Sequence, residues 1–231
     1  MGAMKSRFEG TQVNLRRITP ADADDLVRHI GDRDISRQTF IPYPYGRKDA
    51  RRFIAWSQEQ WRKKTAFPFS IEDRRTGRVV GGIGLHRINF LHKNAELGYW
   101  LNKRYRGRGV MTEAVHLILA FAFRELKFER VYGHVFVSND ASVRVLRRVG
   151  FKREGYLRRS YFHRRRWQDS HLYAILKQDW RPPTGKPTRP KARRSTASRT
   201  KTPRRIVTTR RTAPARRTVT ARRSVPARRR A

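Results

Sequence analysis

Apolar and polar positions alternate from Val13 through Leu15 to Arg17, the two-residue period of a half-buried strand. Thr19-Pro20 follows with a capping hydroxyl and a proline suited to a first helical position, and predicts a helix to about Ile30. Ile41-Pro42-Tyr43-Pro44-Tyr45 excludes regular structure, because prolines so close together remove backbone donors and fix φ. A second helix is predicted over 48–64, with Phe53, Trp56 and Gln60 on one face. Residues 66–73 and 78–89 read as a hairpin around Arg74-Arg75-Thr76-Gly77, and 95–101 as a further strand. The stretch 110–126 is apolar almost all round, which predicts a helix buried against a sheet. A strand over 130–137, a helix over 139–149 and a closing hairpin of 151–157 with 168–176 complete the pattern. Runs of antiparallel strands with helices between them predict an α+β, three-layer α/β/α fold.

Beyond Trp180 the pattern stops. Seven prolines among Ser, Thr and Arg prevent a packed core, so 181–231 is predicted to be a disordered tail, 13–180 the folded domain and 1–12 a flexible N-terminus. Charge separates the regions further. The 231-residue chain has a formal net charge of +38, and half of it lies in 181–231, which holds 16 Arg and 3 Lys and no carboxylate. Arginine pairs recur there every six residues, at Arg204-Arg205, Arg210-Arg211, Arg216-Arg217, Arg222-Arg223 and Arg228-Arg229. Six residues advance a helix by about 600°, which makes no stripe; extended, the pairs lie roughly 20 Å apart, like beads along a polyanion. This composition implies nucleic acid or the ribosome as a partner and makes cationic small molecules poor substrates. The absence of cysteine excludes disulfides, thiolate metal sites and cysteine nucleophiles, and no apolar run approaches the roughly 20 residues of a transmembrane helix, so a cytoplasmic location is expected, near nucleoid or ribosome.

The densest chemistry lies in Glu96 to Ala114. Arg104-Tyr105-Arg106-Gly107-Arg108-Gly109 joins a predicted strand to a predicted helix, and the first amides of a helix lack intrahelical partners. Glycines that admit a close backbone approach, free amides, a helix dipole and three arginines together form an anion site. The motif is neither a Walker loop nor a full GxGxxG. Asn139 is placed to cap the helix that follows it, and none of the histidines has metal-ligand spacing.

At these residues the chain resembles the GNAT acetyltransferase superfamily, whose signature Gln/Arg-x-x-Gly-x-Gly/Ala is filled by Arg104, Gly107 and Gly109. Gly98-Tyr99-Trp100, Thr112-Glu113-Ala114, the run Val137 to Ser142 and Gly150-Phe151 extend the resemblance over about 14–180. NDASVRVLRRVGF, EGYLRRSYF and WQDSHLYAI are most similar to the RimJ/RimL-type branch that acetylates N-terminal Ala or Ser of ribosomal proteins. The resemblance implies a mixed, mostly antiparallel sheet with a splayed central strand pair, at about 98–101 and 130–137, and acetyl-CoA between them. It places the pyrophosphate on Arg104, Arg106, Gly107, Arg108, Gly109 and Val110, the pantetheine along the backbone of Trp100, Leu101 and Asn102, and cofactor amides near Asn139. Glu96 matches the base position and Ser142 the general-acid position; each has an ordinary alternative, an arginine partner for Glu96 and a local helix hydrogen bond for Ser142. No metal is implied. Tyr43, Tyr45, Trp56 and Trp61 are candidates for the acceptor groove, and His163-Arg164-Arg165-Arg166-Trp167 for an exposed hairpin tip. The acceptor expected is a protein N-terminus or another amine. The competing readings are a nucleic-acid-binding, nucleoid-type protein with an idle transferase fold, and a small-molecule amine acetyltransferase.

Overall fold

The computed structural model describes residues 4–183. One eight-stranded sheet organises them: β1 (Arg7–Glu9), β2 (Val13–Arg17), β3 (Phe67–Asp73), β4 (Val79–Asn89), β5 (Asn94–Leu101), β6 (Arg130–Phe136), β7 (Lys152–His163) and β8 (Arg166–Leu176). Their spatial order is β1-β2-β3-β4-β5-β6-β8-β7, and every neighbouring pair is antiparallel except β5 and β6. Helices α1 (Ala23–Ile30), α2 (Arg33–Gln38) and α3 (Arg47–Lys63) separate β2 from β3, α4 (Val110–Ala120) separates β5 from β6, and α5 (Asp140–Val149) follows β6.

Strand alternation sorts the core into two clusters. Leu97 and Leu101 of β5 join Phe67, Phe69, Val115, Ile118 and Phe121 in the larger one, while Trp100 faces the other way into Ile18, Leu26, Ala50 and Ile54. The sheet is therefore covered by apolar side chains on both faces, as the expected α+β arrangement requires.

Four elements differ from the pattern-based reading. The N-terminal segment expected to be flexible contains β1, because Phe8, buried against Phe69 and Phe121, seats it beside β2. Three residues are too few to show a period. Helix α2 is likewise a single capped unit, with Asp32 accepting from the Asp34 amide at 3.0 Å. The predicted helix over 110–126 is α-helical only to Ala120 and widens to a π-type turn at Phe121–Glu125, so that Leu126 N–H reaches the Phe121 carbonyl at 3.1 Å. The closing hairpin is longer than its apolar pattern, since β7 is an edge strand with most of its side chains in water. The tail expected over 181–231 lies outside the described residues from 184 onward.

One buried ionic cluster ties the first strands to α1. Arg16 donates to both oxygens of Asp22, at 2.9 and 2.7 Å, and to Glu72, which also accepts from Asn14 at 3.1 Å. Burial pushes both carboxyls up, yet their hydrogen bonds to Arg16 and its charge hold them below the ordinary values. A depressed carboxyl stabilises the fold above its unfolded pKa, so this contribution is present above about pH 4.5 and lost as pH falls through the lowered values. Arg16→Met is expected to cost roughly 3–5 kcal/mol by leaving buried Asp22 without its ion-pair partner and Glu72 with Arg7 alone. Thermal unfolding at pH 7 and pH 3 checks it: the difference between variant and parent shrinks at the lower pH.

Candidate active site

Parallel pairing between β5 and β6 runs through Asn94–Arg130, Ala95–Val131 and Glu96–Tyr132 and then ends. Beyond it β5 stays paired with β4 as far as Leu101, and β6 with β8 as far as Phe136. The two strands thus diverge around a cavity of about 1190 Å³ lined by Leu97 to Leu101 on one wall and Gly133 to Phe136 on the other.

The glycine loop closes one end. Gly107 and Gly109 have φ of +75° and +82°, left-handed values that favour glycine, and Gly109 is the N-cap of α4. A Cβ at Gly107 would meet nothing within 4 Å, so backbone conformation rather than internal crowding demands glycine there. The first intrahelical bond runs from Glu113 N–H to the Gly109 carbonyl, leaving the amides of Val110, Met111 and Thr112 ahead of it. Glu113 also fixes this end of α4, because its carboxylate accepts from the amides of Thr11 and Gln12 and from Gln12 Nε2. Left-handed glycines, free amides and a helix N-terminus fit a pyrophosphate.

The expected site residues divide into two groups. Glu96, Trp100, Leu101, Arg106, Gly107, Gly109, Val110, Asn139 and Ser142 line the cavity. Asn102, Arg104 and Arg108 do not line it. The Asn102 side chain is taken up by the fold, accepting from the Arg104 amide at 3.0 Å and donating to the His29 carbonyl at 3.2 Å. Arg104 and Arg108 are exposed at the outer side of the loop. The Trp100 ring is buried under Gly82, so only its backbone is available to a ligand in the cleft. Asn139 caps α5, accepting from the Ser142 amide at 3.1 Å.

Two side-chain pairs line the cavity. In one, Glu96 is 7% exposed; its Oε1 lies 3.1 Å from His134 Nδ1 and its Oε2 lies 3.2 Å from Arg87 Nε. Burial pushes this carboxyl up, but hydrogen bonds and charge from His134 and His86 more than offset that and hold it at about 2. A carboxylate so stabilised is a weak proton acceptor, which makes His134, polarised by Glu96, the better placed basic group. In the other, the Tyr99 hydroxyl lies 2.6 Å from Ser142 Oγ, and burial pushes the phenol up to about 12.

Of the aromatic residues expected in the acceptor groove, only Trp56 lines the cavity, stacked on Phe53. Trp61 is a core residue, donating to the Pro68 carbonyl at 2.8 Å; Tyr45 is buried against α1 and α3, and Tyr43 packs with Arg33. Phe40, Phe136 and Tyr161 line the cavity as well, Phe136 edge to face with each of the others and Phe40 tilted on Tyr161. The hairpin tip is not free: His163 Nε2 lies 3.0 Å from the Ser36 carbonyl, and Arg164 donates to the same carbonyl and to Ser36 Oγ, tying β7–β8 to α2. His163 is therefore more than an exposed turn residue. Among the described residues no group of three or more His, Cys, Asp or Glu is arranged to hold a metal.

Residues 12–152 match the family described as Acetyltransferase (GNAT) domain, and the chain belongs to that family. It is 32% identical over 170 residues to "Probable N-acetyltransferase YjcK" of Bacillus subtilis, spanning 70% of this chain and 94% of that one. With the ribosomal-protein-serine acetyltransferase of Escherichia coli it shares 32% identity over 98 residues, 42% of this chain and 55% of the other. Among solved structures, Mycobacterium smegmatis RimJ in complex with CoA-disulfide has a TM-score of 0.66 at 24% identity, covering 72% of this chain and 82% of that one, a likeness of fold. The protein is thus a GNAT N-acetyltransferase, a family that uses acetyl-CoA.

Gly107→Ala tests the loop. The added methyl has space, so folding is retained at a cost of roughly 1–2 kcal/mol for the left-handed conformation, while affinity for CoA measured by calorimetry falls at least about tenfold.

Proposed function

We propose that the protein acetylates the N-terminal amine of Ala- or Ser-starting proteins, with a ribosomal or nucleic-acid-associated protein as acceptor. The observation that carries this reading is the divergence of β5 and β6 between a basic pair, Glu96–His134, and an acidic pair, Tyr99–Ser142. Similarity to the ribosomal-protein-serine acetyltransferase supports the acceptor class. The cavity lining supports it too: Arg87, Arg106, Arg144 and Arg148 outnumber Asp34 and Glu96, which disfavours polyamine or aminoglycoside cations. An aromatic groove over Phe40, Trp56, Phe136 and Tyr161 suits a peptide end.

Acetyl-CoA, when bound, supplies the acetyl group as a thioester. The amides at Gly107 to Val110, with Arg104, Arg106 and Arg108 as mobile counter-charge, would hold its phosphates; the β5 backbone at Trp100 and Leu101, with Asn139, would hold the arm. Glu96 anchors His134 through Nδ1 and leaves Nε2 to take the proton that the acceptor ammonium must lose. Ser142 donates its hydroxyl proton to the departing sulfur, and Tyr99, bonded to Ser142 Oγ, replaces that proton as it leaves. The neutral amine attacks the thioester carbonyl carbon and the carbon–sulfur bond breaks. The acceptor nitrogen loses two protons, one to His134 before attack and one as the amide forms, while the sulfur gains one, so that once Tyr99 is reprotonated one proton in all passes to solvent. The arginine-rich segment 181–231 binds nucleic acid and raises the local concentration of enzyme near its acceptors in the cytoplasm. With only three lysines, that segment offers few acceptor amines to its own active site.

Thiol release from acetyl-CoA tests the reading, with Ala-, Ser- and Met-starting peptides and spermidine as acceptors. Ala and Ser peptides are expected to turn over; turnover confined to spermidine would reject the acceptor class. Glu96→Gln, His134→Gln and Ser142→Ala are each expected to lower kcat on the order of a hundredfold or more, and Tyr99→Phe about tenfold with KM for acetyl-CoA unchanged. Because Glu96 stays ionised to about pH 2, the rate–pH profile is expected to show no limb at the ordinary glutamate value of 4.5.

A further inference from the structure

The β7–β8 hairpin carries more exposed chemistry than the active site uses. Phe162 and Trp167 are directly opposed in the ladder, their ring centroids lie 5.3 Å apart, and they are 61% and 56% exposed. By alternation they occupy the face opposite Tyr161 and His163, which point to the acceptor groove. Arg158 and Arg159 lie further along β7 and Arg165 in the adjoining turn, all exposed, and none of their side chains has an ion pair or hydrogen bond among the described residues; Arg166, opposed to His163 in the ladder, lies on the other face. The nearby carboxylates are already engaged: Glu154 by Arg130, and Asp169 by the Tyr156 hydroxyl and the Arg159 amide.

The backbone presents these arginines at positions where another residue would be more comfortable. Arg164 and Arg165, the two central residues of the hairpin turn, have φ of +51° and +63°, a pattern that favours Asn-Gly. Arg159 has φ of +47° at a register shift between Leu157 and Tyr161, where Asp169 fills the bulge from inside and the side chains of Arg158 and Arg159 face water. Side-chain chemistry rather than turn propensity therefore selects arginine there.

We propose that this hairpin is a binding surface for single-stranded nucleic acid, independent of the segment 181–231: bases stack on Phe162 and Trp167, and Arg158, Arg159 and Arg165 contact the phosphates. Exposed aromatic rings set among unpaired guanidiniums are what base stacking and phosphate neutralisation require. A second copy of the chain on the same face would bring two such arginine clusters together, and like-charge repulsion opposes that.

The test uses the full chain. A short oligouridylate is irradiated in its complex and the cross-linked peptides are mapped; the same strand and inorganic polyphosphate are titrated in moderate salt. Cross-links are expected at Phe162 and Trp167 as well as beyond residue 183. The pair Phe162→Ala with Trp167→Ala is expected to weaken oligouridylate binding on the order of tenfold and leave polyphosphate binding unchanged. Arg165→Gly separates binding from folding, since it relieves the left-handed turn and is expected to hold or raise the melting temperature while weakening the oligonucleotide complex. Equal binding of oligothymidylate assigns the site to either nucleic acid; weaker binding assigns it to RNA. Cross-links confined to residues beyond 183 with unchanged affinity in the aromatic variant would overturn the proposal, as would a dimer in sedimentation that the same variant dissolves.

Discussion

Beyond the Glu96–Tyr132 pair, β5 and β6 share no further backbone pairing, and each keeps only its antiparallel neighbour. Backbone amides and carbonyls are strong hydrogen-bonding groups, so an interruption in mid-sheet leaves them available to whatever enters. The interruption persists because both strands are held from behind: β5 by β4 through Gly81–Leu101, β6 by β8 through Phe136–Ser170. The glycines of β4 contribute sterically, since a Cβ at Gly82 would fall 2.4 Å from Trp100 Nε1. Loss of that space would displace the Trp100 ring and with it the β5 wall of the cleft. The catalytic geometry depends on the same break, for it places Glu96 at the last paired position and Tyr99 on the opposite face three residues on.

Electrostatics then assigns the roles. In so basic a chain a lone buried carboxylate finds cations readily, and Glu96 has two imidazoles and a guanidinium around it. Their combined effect exceeds desolvation and holds the carboxyl at about 2, which is why the proposed mechanism gives Glu96 the part of anchor and His134 that of base. Tyr99 has the reverse environment. Burial pushes its hydroxyl up to about 12, and that hydroxyl is hydrogen-bonded to Ser142 Oγ at 2.6 Å, which suits the pair to the proton-donating part in the proposed mechanism.

Much of this was legible in the sequence where a residue type is tied to a backbone requirement. Gly107 and Gly109 stand out because positive φ ahead of a helix calls for glycine, and the signature could be read without a fold. Most strands followed from alternation. Tyr99 was in plain view within Gly98-Tyr99-Trp100, yet its hydrogen bond to Ser142 spans 43 positions and no local pattern encodes it. His134 is similar, since its meeting with Glu96 follows from a parallel register that local sequence does not fix. Trp61, a groove candidate that the structure places in the core, shows the limit of periodicity: it identifies the apolar face of α3 but not what that face meets. Asn102 and the two arginines outside the cavity show a different limit, because a motif fixes residue order and leaves side-chain direction to the fold.

The excess charge poses a selectivity problem that the glycine loop resolves. Arg104, Arg106 and Arg108 attract any phosphate, and a protein of net charge +38 in the presence of nucleic acid is surrounded by competing phosphates. Diffuse charge on flexible side chains cannot distinguish a cofactor pyrophosphate from a phosphodiester strand. The amides ahead of Glu113 N–H can, because they are fixed by α4, by the left-handed turns at Gly107 and Gly109, and by Glu113 gripping the β1–β2 connection. In the binding mode proposed above they take one compact pyrophosphate, with the pantetheine arm running on into the cleft, an arrangement that a phosphodiester strand does not match. The arginines set how fast anions arrive, and the backbone sets which one stays.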